Sequence, residues 1–319
     1  MNTFFKTVIL AALVSSVTQT ALSQTSGAVK PTRVQSSSVV GDLRIEEFVS
    51  KVFANKRNLR VLLPDGYDAP ENRTRKYPVF YLADGQNIFD PATSVFEPTE
   101  WKVDETVQAL VANNKIPPMI VVGVDNAGRT ARAHEYLPWP DTANATRDPS
   151  YDAHPQGKRY PEFLVDEVMP YINNRYRTMR DAAHTALGGS SYGGLISVYT
   201  FAARPGVFGR ALIESPTLMV FGGQAMKDVA ALHELPERIF MAVGTNEDRL
   251  PNCNPTAPFR KNDEMVLGVQ QMTNTLRKAG LDSTRLRVVI EPCATHTHAA
   301  WAARLPAALT FLFGEKSAR

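Results

Sequence analysis

The chain has only two cysteines, three tryptophans and six histidines in 319 residues. That excludes a disulfide-dense scaffold and the cysteine-rich clusters of structural zinc sites. It lacks any run of lysine and arginine, and its formal net charge is only +3. A charge so small and dispersed does not make the electrostatic footprint of a nucleic-acid binder. Beyond the first two dozen residues no apolar stretch is long enough to span a bilayer, so no stable membrane insertion is expected. There is no internal repeat. What remains is ordinary for a globular chain, 44% hydrophobic and 21% charged, with length for one large α/β domain or two small ones.

The N-terminus differs in kind. Lys6 precedes a mostly small or apolar segment, Thr7 to Val17, and Ala21-Leu22-Ser23 then places small residues at the spacing a signal peptidase reads. This pattern predicts a signal peptide over residues 1–23 and a secreted or periplasmic protein beginning at Gln24. Residues 24–39, rich in Ser, Thr, Val and Pro, read as a flexible arm. From residue 40 to 315, strand and helix signals alternate without a break, which argues for a single α/β domain. Export also places Cys253 and Cys293 where a disulfide can form.

Leu43–Phe48 and Asn58–Leu63 carry strand patterning, and Pro64-Asp65-Gly66-Tyr67 closes the second with turn chemistry. Pro78–Ala83 and Met119–Val124 are short apolar runs, suited to strands buried on both faces of a parallel sheet. Thr185–Leu187, Ala211–Ile213, Ile239–Val243 and Leu286–Ile290 continue the series. Phe163, Leu164, Val168, Met169 and Ile172 recur at helical spacing between Tyr160 and Tyr176. Glu264–Ala279 reads as a helix ending at Gly280, and Leu305–Leu312 as the final helix. Arg129–Lys158 reads as a long loop of the kind that lines binding sites.

One pentapeptide carries chemistry. Gly189-Ser190-Ser191-Tyr192-Gly193 lies between a buried strand and an apolar helix starting near Leu195. A sharp strand-to-helix turn there lifts the middle serine clear of the sheet, and flanking glycines avoid clashes. Ser191 is therefore a candidate nucleophile. A serine hydroxyl needs a base, and the base needs an orienting acid. In this architecture the acid and then the histidine follow on loops past later strands. Glu247 and Asp248 follow the strand Ile239–Val243; Glu247 is preferred, and Asp248 is the fallback. His296 and His298 follow the strand Leu286–Ile290; His296 is preferred, with His298 as fallback. A His-x-His pair lacks the further ligands of a metal site, so no metal and no cofactor are expected. For the oxyanion hole, the amide of Tyr192 comes after the nucleophile, and the amide of Gln86 follows Asp84-Gly85 at the end of the strand Pro78–Ala83.

Three stretches together resemble a known family. They are Tyr81-Leu82-Ala83-Asp84-Gly85-Gln86-Asn87, the run Phe163–Thr178 leading into Gly189–Gly194, and His296 five residues before Trp301. The chain is similar over roughly residues 40–315 to the esterase family that includes esterase D, feruloyl esterases, enterobactin-type siderophore esterases and antigen 85 mycolyltransferases. The resemblance implies an α/β-hydrolase fold, with a mostly parallel central sheet and helices on both faces. It also implies a Ser–acid–His triad without metal. Position by position, it places the nucleophile on Ser191, the base on His296, the acid on Glu247 and the oxyanion amides on Gln86 and Tyr192. The chain departs from the pattern at Tyr192, where relatives often have Met, and at Thr297-His298, where they often have Asn-Glu.

Cys253 lies six residues past Glu247, and Cys293 three before His296. If the two loops share one edge of the sheet, a disulfide between them would tie acid to base. The expected activity is hydrolysis of a small-molecule carboxylic ester through an acyl-enzyme. An acyltransferase with the same triad and a non-catalytic binding module on the same scaffold are the alternatives. Arg132, His134, Glu135, Tyr136, Trp139 and Tyr151 in the loop Arg129–Lys158 suit a phenolic acyl group such as a ferulate, or a catecholate siderophore. Sugar-acetyl esters are a third class. Arg132, Glu135 and Trp139 are the candidate substrate contacts, and surface packing is the competing explanation for each. The sequence leaves the oligomeric state open.

Overall fold

The computed structural model describes residues 31–33, 38–140, 154–256 and 263–314. The expected signal peptide and Tyr151 lie outside the described residues. Nine strands form one sheet in the order β1-β2-β3-β5-β4-β6-β7-β8-β9 among the described residues. These are β1 (Thr32–Arg33), β2 (Asp42–Ser50), β3 (Asn55–Leu63), β4 (Val79–Ala83), β5 (Ile120–Val124), β6 (Thr185–Ser190), β7 (Arg210–Glu214), β8 (Arg238–Gly244) and β9 (Leu286–Glu291). The first strands pair antiparallel, β1 with β2, β2 with β3 and β3 with β5. From β5 through β4 to β9 every pairing is parallel.

The parallel strands β4 to β8 are almost wholly buried because both of their faces are covered, whereas the edge strand β9 carries the exposed Arg287. Along β8, Ile239, Met241 and Val243 enter one core, while Phe240 and Ala242 enter the other. That is the period-2 alternation of a strand. Helices α1 (Val103–Ala112) and α7 (His298–Phe313) cover the second face through Val107, Leu305 and Leu309. The first face carries α2 (Arg129–Tyr136), α3 (Met169–Arg175), α4 (Tyr192–Ala203), α5 (Val220–Ala230) and α6 (Glu264–Lys278). Fully buried residues such as Phe240 and Leu309 are each expected to cost about 2–5 kcal/mol when cut to alanine.

Three sequence readings need correction. Arg129–Lys158 is not loop throughout: α2 forms there because Ala133, Tyr136 and Leu137 are buried against the core. The final helix begins at His298, not Leu305. Thr297 caps it by accepting from the Ala300 amide at 3.2 Å, and the helix tolerates Pro306 in its interior. A proline usually marks a helix start, which is why the earlier turns are hidden in the sequence. Within the arm 24–39, Thr32 and Arg33 pair with Ile45 and Arg44 as an edge strand. Arg33 is also held by Asp68 at 2.9 Å.

The topology matters for function because it collects strand ends. β6 pairs with β7 up to Ser190 opposite Glu214, and β8 with β9 up to Gly244 opposite Glu291. The segments after β4, β6, β7, β8 and β9 therefore leave one edge of the sheet together. In open α/β sheets that edge is where ligands bind.

Candidate active site

β6 ends at Ser190 and α4 begins at Tyr192, so Ser191 alone makes the turn. Its backbone sits at φ 57° and ψ −125°, a left-handed conformation that costs a residue with a Cβ of order 1–3 kcal/mol. The surroundings hold it there. The Ser191 N–H donates to the Glu214 carbonyl at 3.0 Å, and its own carbonyl accepts from the Leu195 amide at 3.1 Å. The helix returns close to the strand it came from: a Cβ on Gly189 would lie 2.7 Å from the Gly193 carbonyl. That contact requires glycine.

Past β8, Glu247 is buried while its neighbour Asp248 is exposed. Glu247 Oε1 accepts from Ser215 Oγ at 2.7 Å and from the Gly244 amide at 2.5 Å. Its Oε2 lies 2.7 Å from His296 Nδ1. The carboxylate is thus held on three sides, and the imidazole uses Nδ1 toward it. Nε2 is left as the nitrogen that can take or give a proton in the cleft. The His296 ring also stands edge-on against Trp301, 5.0 Å between centroids. Cys253 and Cys293 are bonded, with Cα atoms 5.6 Å apart, which ties the loop after β8 to the loop after β9. The Cys293 amide adds a bond to Thr245 Oγ1 at 2.8 Å.

His298 is placed differently. Its Nδ1 faces the Thr99 carbonyl at 2.8 Å, so Nδ1 carries the proton. Burial lowers its pKa and keeps the ring neutral. Its amide donates to Glu97 Oε2 at 3.0 Å. Glu97 pairs with Arg249, whose guanidinium also reaches the His296 carbonyl.

Beneath the elbow lies a second buried acid. Glu214 accepts from Arg304 Nε at 2.9 Å. Desolvation nonetheless raises its pKa to about 7, and the Glu247 charge adds to the effect.

After β4 the chain turns through Asp84, at φ 60°, into the turn Gly85–Asn87. Gly85 is required there because a Cβ would lie 2.4 Å from the Gly123 carbonyl carbon on β5. The Gln86 side chain is buried and accepts from the Asn126 amide at 3.1 Å. The Gln86 carbonyl accepts from Thr93 Oγ1 at 2.7 Å, so the residue is fixed at both ends. Tyr192 opens α4, the end at which a helix offers backbone N–H groups to anions.

An open cleft of about 280 Å³ joins these parts, with Ser191, His296, Asp84, Phe96, Arg132 and Trp301 among the residues lining it. Arg132 makes a two-pronged contact with Asp84, Nε to Oδ1 at 2.8 Å and Nη2 to Oδ2 at 2.7 Å. Its guanidinium also sits over the rings of Phe96, Tyr136 and Tyr192.

The other two residues expected to meet substrate belong to the scaffold. Glu135 is buried in an ion pair with Arg57 at 2.8 Å, and Trp139 packs edge-on against Tyr199, 5.3 Å between centroids. Neither lines the cleft. They sit in or beside α2, where packing of the helix, unseen in the sequence, absorbs them. Sequence reasoning also missed Ser215 and Glu97. Ser215 carried a usable signal, since it follows the buried strand β7 just as Ser191 follows β6.

The sequence profile of the Putative esterase family matches residues 50–312. The chain belongs to this family. It is a carboxylic ester hydrolase on an α/β-hydrolase fold. Among curated proteins it is 22% identical to the uncharacterized protein YbbA of Bacillus subtilis over 262 residues, covering 82% of this chain and 94% of that one. A solved ferulic acid esterase aligns with a TM-score of 0.59 and 20% identity, covering 85% of this chain and 97% of that one. An IroE-like serine hydrolase from Shewanella oneidensis aligns with a TM-score of 0.64 and 20% identity over 85% of this chain and 80% of that one. No helix among the described residues is long and apolar enough to cross a membrane.

Proposed function

We propose that this esterase works through Ser191, His296 and Glu247 on esters of aromatic acids, after export from the cytoplasm. The observation that carries the mechanism is the 2.7 Å contact between His296 Nδ1 and Glu247 in a cleft that also contains Ser191. His296 Nε2 takes the proton of Ser191 Oγ as it attacks the ester carbonyl. The resulting oxyanion is met by the amides of Gln86 and Tyr192. The tetrahedral intermediate collapses, breaking the bond to the alcohol, and His296 gives that oxygen its proton. Water then repeats the sequence on the acyl-enzyme, releasing the acid and freeing Ser191. Glu247 keeps the imidazole in one tautomer and stabilises it when charged.

The aromatic-acid assignment rests on the cleft wall. Phe96 and Trp301 supply flat apolar surface. Similarity to a ferulic acid esterase supports the same class. Export is supported by the signal-peptide pattern of residues 1–23 and by the Cys253–Cys293 bond, which suits an oxidising compartment. Ser191→Ala should abolish hydrolysis of p-nitrophenyl acetate and methyl ferulate while the thermal midpoint stays within a few degrees. Retained turnover in a pure preparation would overturn the mechanism. Preference for acetyl-sugar over feruloyl esters would overturn the substrate class alone.

A further inference from the structure

A second group of acids lies away from the catalytic cleft, where the chain enters α1. Glu100, Asp104 and Glu105 each offer one oxygen within 4.8 Å of those of the other two. Acids in the first turn of a helix are common, because they face its positive end. That explanation does not cover these. Asp104 is completely buried, and Glu100 nearly so. Asp104 Oδ2 accepts from the Val40 amide at 2.7 Å, while Asp104 Oδ1 and Glu105 Oε2 are buried with no partner outside the cluster among the described residues, the two side chains facing one another. Glu100 accepts from the Lys102 amide.

Buried carboxylates without a counter-charge are costly. A bound cation would balance all three at once.

We propose that Glu100, Asp104 and Glu105 form a divalent cation site, and that the ion is Ca²⁺. The donors are all hard oxygens, which suits Ca²⁺ or Mg²⁺ and disfavours softer metals. Three protein carboxylates at one site favour Ca²⁺, because Mg²⁺ is usually held by only one or two carboxylates and keeps several of its waters. Glu100 and Glu105 also line an open groove of about 760 Å³, which gives the ion an entry path and room for water ligands. Such an ion ties Val40, at the approach to β2, to the start of α1 and to the segment 97–100. That segment supplies Glu97 and Thr99 to His298. The ion would steady one wall of the cleft without touching the reacting atoms. The site is independent of the esterase mechanism and is read by binding alone.

The test is titration of the EDTA-treated full chain with CaCl₂ by calorimetry, alongside thermal melts. One binding event per chain is expected, with a Tm rise of about 3–6 °C at saturating Ca²⁺ and weaker binding of MgCl₂. Asp104→Asn should abolish the Ca²⁺ response while melting no lower than the EDTA-treated wild type, because it removes repulsion. Glu105→Gln should weaken binding about 10-fold or more, and it carries the test if Asp104→Asn does not fold. Absence of heat and Tm change at millimolar Ca²⁺ would overturn the site. An unchanged response in Glu105→Gln would do the same, and tighter binding of Mg²⁺ would overturn the choice of ion.

Discussion

Ser215 donates a hydrogen bond to Glu247 at 2.7 Å. Its hydroxyl oxygen in turn accepts from the Trp301 indole at 3.0 Å. The acid is therefore positioned from β7 and, through Trp301, from α7. His296 is positioned by Glu247 and by the edge of the same Trp301 ring. Glu247 and His296 are held by one network whose members back one another up.

Ser215→Ala tests that network. The change removes a hydrogen bond to a charged group and leaves the Trp301 N–H buried without an acceptor. Such losses are worth about 1.5–3 kcal/mol, so kcat should fall roughly 10–100-fold with KM little moved. Ser215→Thr keeps the hydroxyl and should recover most of the rate. Steady-state kinetics of both variants on p-nitrophenyl acetate would decide it; equal rates for Ala and Thr would show that the hydroxyl has no positioning role.

The sheet and the elbow were legible because their signals are local. Short apolar runs mark strands buried on both faces, and β4, β5 and β8 carry such runs. The elbow needs glycine where backbones meet, and Gly189 stands there. What stayed hidden depends on contacts across the sequence. Nothing near Ser215 says that a carboxylate 32 residues later will accept from it. Glu135 looked like a substrate contact because its partner Arg57 lies 78 residues away. Pro306 masked two turns of α7, since a chain with a proline there can hold a helix only when packing repays the lost bond.

The disulfide should matter more for the base loop than for the fold. Closing the 40-residue separation between Cys253 and Cys293 constrains the unfolded chain and stabilises by about 2–4 kcal/mol. It also fixes the loops that carry Glu247 and His296. The double variant Cys253→Ser/Cys293→Ser should melt lower and lose kcat, and dithiothreitol should reproduce both effects in the wild type. Titration of the unreduced, unfolded wild type with a thiol reagent should find no reactive thiol. Two reactive thiols would remove the bridge from the account.

Stability should fall on acidification in a way traceable to His298. Burial lowers its pKa in the folded state, while the unfolded imidazole binds a proton near pH 6.5. Below that pH the unfolded chain takes up a proton that the folded chain resists. The contribution of His298 is therefore full above about pH 6.5 and is lost as pH falls toward the lowered folded value. His298→Asn can still donate to the Thr99 carbonyl but cannot titrate. The difference in urea midpoint between wild type and variant should shift in favour of the variant between pH 7.5 and pH 5. A difference that is constant across this range would rule the titration out.

The pairing of Arg132 with Asp84 makes opposite forecasts for two roles. If Arg132 serves chiefly to hold Asp84, its loss lets the turn Gly85–Asn87 drift and moves the Gln86 amide from the oxyanion. If it serves chiefly to bind substrate, its loss weakens binding. The two-pronged geometry, at 2.8 and 2.7 Å on a side chain only 11% exposed, favours the first. Lysine keeps the charge but cannot make both bonds. Arg132→Lys should therefore lower kcat about 10-fold or more, as loss of oxyanion contacts does, with KM changed less than threefold. Arg132→Met should in addition destabilise the fold by about 3–5 kcal/mol, because Asp84 is left buried without its partner. Pairing it with Asp84→Asn should return part of that stability but not the rate. A rise in KM at constant kcat in Arg132→Lys would instead assign the residue to substrate binding.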